Sequence, residues 1–149
     1  MQNSGLRNMI GCCDNLADSL RDPLLLIGRI LIAAVFLMTV WTGGPAAAYL
    51  KSLNYILPDF MSLLAHVAEW IIVVTLILGV ATRYGALLAF VFVVIALVTA
   101  HLYWQYPQAA QTLQYAFLSK DLAIAGGALV LFVTGGGRYS VDAAWLGRA

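Results

Sequence analysis

Charge is what this sequence has least of. Lysine and arginine number 8 and aspartate and glutamate 7 in 149 residues, so only 10% is charged, against about 25% in an average soluble domain. Too little charge is present for the surface of a water-soluble globule. The formal net charge is +1, and no basic tail exists, so there is no electrostatic footprint for nucleic acid. Cysteine is nearly absent too. The 2 cysteines are adjacent, Cys12-Cys13, in the polar N-terminal stretch. They make neither a Cys-x-x-Cys motif nor half of a zinc site, which argues against a disulfide framework and against intramembrane thiol chemistry. No glycine-rich phosphate loop follows a strand, and no Ser/His/Asp or haem-attachment pattern is visible. Gly135-Gly-Gly137 reads as a helix C-cap.

What remains is apolar: 62% hydrophobic residues and a mean hydropathy of +0.89. A bilayer core of about 30 Å needs roughly 20 apolar residues in a helix. Four segments qualify: Leu24 to Trp41, Ser62 to Ala81, Tyr84 to Leu102 and Phe117 to Thr134. The sequence therefore predicts an all-α, integral membrane four-helix bundle: an N-terminal segment over 1–22, a four-span domain over 23–134 and a tail over 135–149. Thr82-Arg83 is the whole connection between spans two and three, a tight hairpin. Tyr49 to Leu57 and Gln108 to Phe117 have room for short surface helices, and Gln108 to Gln114 could instead extend span four. Ala46-Ala-Ala48 resembles a signal cleavage site, but the preceding segment is long and carries Asp14, Asp18 and Asp22, so span one is read as retained.

Basic residues set the orientation. Arg7, Arg21, Arg83, Arg138 and Arg148 fall on the side of the termini, against Lys51 and Lys120 on the other. Both termini of this multi-pass chain are thus expected on the cytoplasmic side. Trp41, Trp70, Tyr103, Trp104, Tyr106 and Tyr115 would form the aromatic belt of the outer interface. Ala123/Gly127 in span four and Gly85/Ala89 and Ala96/Ala100 in span three offer small-residue contacts for close helix packing.

Ionisable groups inside a membrane cost about 2.5–3.5 kcal/mol each and ask for a partner or a role. Five define a candidate intramembrane site: Arg29, His66, Glu69, His101 and Lys120. At about 1.5 Å per residue, Arg29 lies roughly 8–9 Å in from one side and Glu69 roughly 10 Å in from the other. The remaining gap is within reach of an Arg29–Glu69 pair. His66 and Glu69, at i,i+3, share a face continued by Ser62, Val73 and Ile77. Lys120 and Asp121 lie about 100° apart, and Lys120, on the stripe of Gly127, is taken as the inward one. Three readings stand. In one, the groups are an ion-pair network holding the helices in register. In another, they line a pocket for a small polar or quinone-like molecule, or a relay in which Glu69 and His66 exchange protons. The third, a metal site from His66, Glu69 and His101, is chemically legitimate but rests on unspecific spacing, and no metal is assigned.

Several pieces occur in order: Gly28-Arg29, Tyr49-Leu-x-x-Leu-x-x-Ile-Leu-Pro58, Glu69, Leu78-Gly-Val-Ala-Thr-Arg83 and His101 with its aromatic neighbours. Phe117-Leu-Ser-Lys-Asp-Leu-Ala-Ile-Ala-Gly-Gly127 and Gly137-Arg-Tyr-Ser-Val-Asp142 complete the set. Together they resemble one family of small membrane proteins, DoxX. Lys120-Asp121 stands where many members carry Lys-Asn. The resemblance implies a four-helix inner-membrane protein acting as an accessory or anchoring subunit near thiol, quinone or oxidative-stress chemistry. It also implies protein partners in a membrane redox complex. The alternative is a non-catalytic scaffold, alone or as a homo-oligomer. A small transporter ranks below both, because no span is broken and no internal repeat is evident.

Overall fold

A computed structural model describes residues 3–42, 51 and 56–145, with side chains from residue 11 onward. Among the described residues, α-helices run in chain order as α1 (Asn3–Ser19), α2 (Arg21–Trp41), α3 (Pro58–Leu78), α4 (Thr82–Ala100), α5 (Gln108–Thr134) and α6 (Val141–Trp145). A short 3-10 turn at Tyr103–Gln105 joins α4 to α5. The described residues contain no strand, and α2 to α5 are the 4 helices long and apolar enough to cross a membrane. The all-helical membrane bundle expected from composition is thus present.

Local chemistry sets the boundaries. Pro58 starts α3 at its first turn, where the missing N–H costs nothing, and Asp59 lies in that turn. The helix ends at Gly79, whose φ of +69° is a left-handed cap. Span two therefore stops at Leu78, three residues before the expected Ala81, and α4 begins at Thr82 rather than Tyr84. Gln108 to Phe117 forms no separate surface helix but lengthens α5 to 27 residues. The surface helix considered for Tyr49 to Leu57 falls largely outside the described residues. The segment 1–22, given no structure from sequence, carries α1.

The helices close into a ring, with α2 against α3, α3 against α4, α4 against α5 and α5 against α2. Ala33, Phe36, Ile72, Leu76, Ala86, Ala89, Val93 and Ala128 fill the shared interior. Small residues let backbones approach: a Cβ on Gly85 of α4 would overlap the Thr75 hydroxyl of α3. In α5 the inward stripe is Asp121, Ala125, Ala128 and Leu131, whereas Gly126 is open to space and Gly127 only touches Ile32. The expected Ala123/Gly127 contact is thus replaced by Ala125/Ala128. Likewise Leu76, not Ile77, continues the buried face of Glu69 and Val73. Only 22% of the most apolar window of α2 and α3, and 28% of that of α4 and α5, is buried among the helices. The outward faces, with Leu31, Val130 and Val133 exposed, are lipid-contacting surface.

Candidate functional site

The two ends of the bundle treat polar groups differently. At the end bearing the termini, Arg29 is fully buried and its Nη2 donates to the Tyr139 carbonyl at 2.6 Å. The guanidinium is enclosed by backbone: a Cβ on Gly79 would overlap Nη1, and one on Gly136 would sit 2.9 Å from it. Nε and Nη1 find no hydrogen-bond partner, but Asp142 lies close enough to oppose the charge. Asp142 in turn accepts from the backbone N–H groups of Ala81 at 2.7 Å and Thr82 at 2.8 Å. It thereby caps α4, whose own N-cap residue, Ala81, has no side-chain acceptor to offer. Ala81 sits at φ +49°, a conformation unfavourable by about 1–2 kcal/mol outside glycine; the bond to Asp142 helps hold it there. Burial alone would raise the Asp142 carboxyl. Those backbone donors and the Arg29 charge outweigh it and hold the group below the ordinary carboxylate range. Asp22 of α2 completes the clasp by accepting from the Arg138 N–H at 3.0 Å.

Arg29 is therefore not the partner of Glu69. Its charge is answered at the opposite end by a tail that sequence distance hides, and no ion pair joins the two among the described residues. Gly28-Arg29, Leu78 to Arg83 and Gly137 to Asp142, far apart in the chain, meet in this single clasp.

The other end is hollow. A cavity of about 530 Å³ opens between α2, α3, α4 and α5. Its walls are mainly aliphatic and aromatic, including Val35, Phe36, Leu88 and Phe92, and its polar groups include Thr39, Glu69, His101, Lys120 and Asp121. Glu69 is 2% exposed and Asp121 5%. Glu69 lies beside the Thr39 hydroxyl and in the field of His66. The Asp121 carboxylate faces His101 Nε2 at 3.7 Å through Oδ2 and Lys120 Nζ at 3.5 Å through Oδ1. His101 Nδ1 lies 3.0 Å from Gln114 Oε1. With Nδ1–H donated there, a proton on Nε2 or on Asp121 completes the histidine–carboxylate pair. Yet Glu69 Oε2 and Asp121 Oδ2 are buried with no hydrogen-bond partner, an arrangement that costs free energy unless something supplies a donor.

Of the five sequence candidates, Glu69, His101 and Lys120 share this cavity, and Arg29 does not. His66 is half-buried, its Nδ1 has no hydrogen-bond partner, and it does not line the cavity. Lys120 is the outward member of its pair: its side chain is 46% exposed, against 7% for Asp121, and packs over the Phe117 ring at 5.3 Å. The expectation that Lys120 points inward is corrected by phase, since Asp121 shares its stripe with Ala125 and Ala128. That i, i+4, i+7 run of small residues was the signal available. No three His, Cys, Asp or Glu groups among the described residues come together as a metal site.

Fold and site together define a small multi-pass membrane bundle, clasped at one end and hollow at the other. The DoxX family profile matches residues 24–102, which include Arg29, His66, Glu69 and His101, and the chain belongs to the DoxX family. It is 32% identical over 127 residues to the inner membrane protein YqjF of Escherichia coli (strain K12), covering 83% of this chain and 92% of that protein. To the inner membrane protein YphA of the same organism it is 30% identical over 129 residues, covering 82% and 90%. No solved structure gives a significant match. The chain is a multi-pass inner-membrane protein.

Proposed function

We propose that the cavity holds the head of a lipophilic molecule, of the quinone class in its reduced form, for an accessory subunit of membrane redox chemistry. The observation that carries this is that buried carboxylate oxygens of Glu69 and Asp121, from two different helices, line one mainly apolar cavity without a hydrogen-bond partner. A pocket of several hundred Å³ with few polar groups suits a small amphiphile. Unpartnered acceptors ask for a ligand that donates. A hydroquinone head offers two O–H donors; the oxidised quinone offers only acceptors. In this reading Glu69 and Asp121 accept those hydrogen bonds, His101 takes or returns a proton through Asp121, and Lys120 offsets charge at the mouth. Electron transfer belongs to a partner protein of the complex. The termini lie in the cytoplasm, as the arginines of that end favour.

The test is equilibrium binding of a short-chain hydroquinone and its quinone to the purified protein. Wild type binds the hydroquinone more tightly, and Glu69→Gln and Asp121→Asn each weaken it by about tenfold, the loss of one charged hydrogen bond. Equal binding of both redox forms, unaffected by either variant, would sink the idea. The scaffold reading fits the other end, where Arg29 is enclosed by backbone and tail.

A further inference from the structure

A second cavity lies beside the clasp, about 610 Å³ in volume, and three arginines line it: Arg21 at the start of α2, Arg83 in the first turn of α4 and Arg138 in the tail. None of the three makes an ion pair among the described residues. Two carboxylates share the wall, Asp22 and Asp142, but both already accept backbone N–H groups within the clasp. Gly135 to Gly137 form another part of the wall, Gly135 and Gly137 with φ of +76° and +70°. The Arg83 guanidinium lies against Gly135, where an added Cβ would stand in ordinary contact with Nε at 3.4 Å. Behind Gly136 lies buried Arg29, with Nε and Nη1 still unpartnered. The cavity is thus a concave pocket in which three arginines outnumber two carboxylates already engaged by backbone N–H groups.

The position of the pocket argues for its occupant. It sits at the ends of α2, α4 and α5, where the spans leave the bilayer core. Tyr84, Tyr139 and Trp145 stand 78%, 57% and 83% exposed around that end, as aromatic residues at a headgroup layer do. Arginine forks match phosphate oxygens two at a time. We propose that this pocket binds a phosphate group, supplied by the headgroup of an anionic phospholipid of the surrounding leaflet. A bound phosphate would pin the tail to α2 and α4 across the clasp, tying the bundle's closed end to membrane composition. This site is separate from the hollow end, and its fate does not depend on the ligand proposed there.

Thermal unfolding in detergent micelles doped with phosphatidylglycerol or phosphatidylcholine tests this, with inorganic phosphate in a third arm. Phosphatidylglycerol is expected to raise the Tm of wild type above that in phosphatidylcholine. Each arginine removed should weaken the apparent lipid affinity about fivefold, so Arg83→Gln with Arg138→Gln loses nearly all of the shift. Arg83→Lys with Arg138→Lys, which keeps charge but not the fork, should lose part of it, and Lys51→Gln, outside the pocket, none. Dependence on phosphatidylglycerol alone assigns a lipid headgroup. An equal shift from inorganic phosphate, lost in the glutamine variants, assigns the same site to free phosphate. A lipid shift that survives the glutamine variants, or no shift in any arm, overturns the proposal. The glutamine variants should match wild-type Tm in phosphatidylcholine, since these side chains make no ion pair to lose.

Discussion

Both ends of this bundle bury ionisable groups, but Arg29 is enclosed by backbone and tail, whereas Glu69 and Asp121 border a mainly apolar cavity. At the clasp, Arg29 is wrapped by two glycines, the Tyr139 carbonyl and the field of Asp142. At the cavity, Glu69 and Asp121 are about as buried, and each has an oxygen without a hydrogen-bond partner beside about 530 Å³ of mainly apolar space. Burial of a charge inside a membrane protein does not by itself say function. What surrounds the charge does. Where backbone and tail close in, the group orders the fold; where empty apolar space adjoins it, the group awaits something.

That contrast can be broken most severely at the clasp. Gly79→Val places a β-branched side chain at a left-handed φ and into Arg29. Overpacking of about 1–3 kcal/mol adds to about 1–2 kcal/mol of backbone strain, and the variant should fail to accumulate in membranes or unfold many degrees lower. Asp142→Ala strips the α4 N-terminus of its acceptor and should cost about 1–2 kcal/mol, read from thermal unfolding. The same carboxyl gives a pH signature. Its folded pKa lies below the unfolded value of 3.8, so its contribution is fully present above that value and fades as pH falls through the folded pKa. Wild type should lose stability in that acid window, and the Asp142→Ala variant should lose less.

At the hollow end the same kind of change should do the reverse. Ala96→Leu fills part of the cavity and should displace any ligand while leaving stability within about 1.5 kcal/mol, because the space is already there. If that variant instead unfolds like the glycine variant, the end is not hollow. Lys120→Gln should be mildest, about 0–1 kcal/mol, since its ion pair is half in the open. A larger loss would mean that Lys120 closes the mouth.

The spans, their number and their lipid-facing surfaces were legible because hydropathy reports them directly. Glu69 was legible as a buried acid. Three things were not. The Arg29–Glu69 pairing failed because axial depth says nothing about what folds back from the tail, and Tyr139 lies 110 residues from Arg29. Lys120 shares a stripe with Gly127, but Ala125 and Ala128, on the stripe of Asp121, carry the packing. The boundary at Gly79 was missed because an apolar run continues through Val80 and Ala81; the left-handed glycine, not hydropathy, ends the helix.

The central claim is that Glu69 serves the cavity rather than the fold. Hydroquinone affinity and Tm measured together on wild type and Glu69→Gln test it most directly. The account predicts an affinity about tenfold weaker with Tm nearly unchanged. A Tm collapse comparable to that of Gly79→Val, or an unchanged affinity at an unchanged Tm, would contradict it.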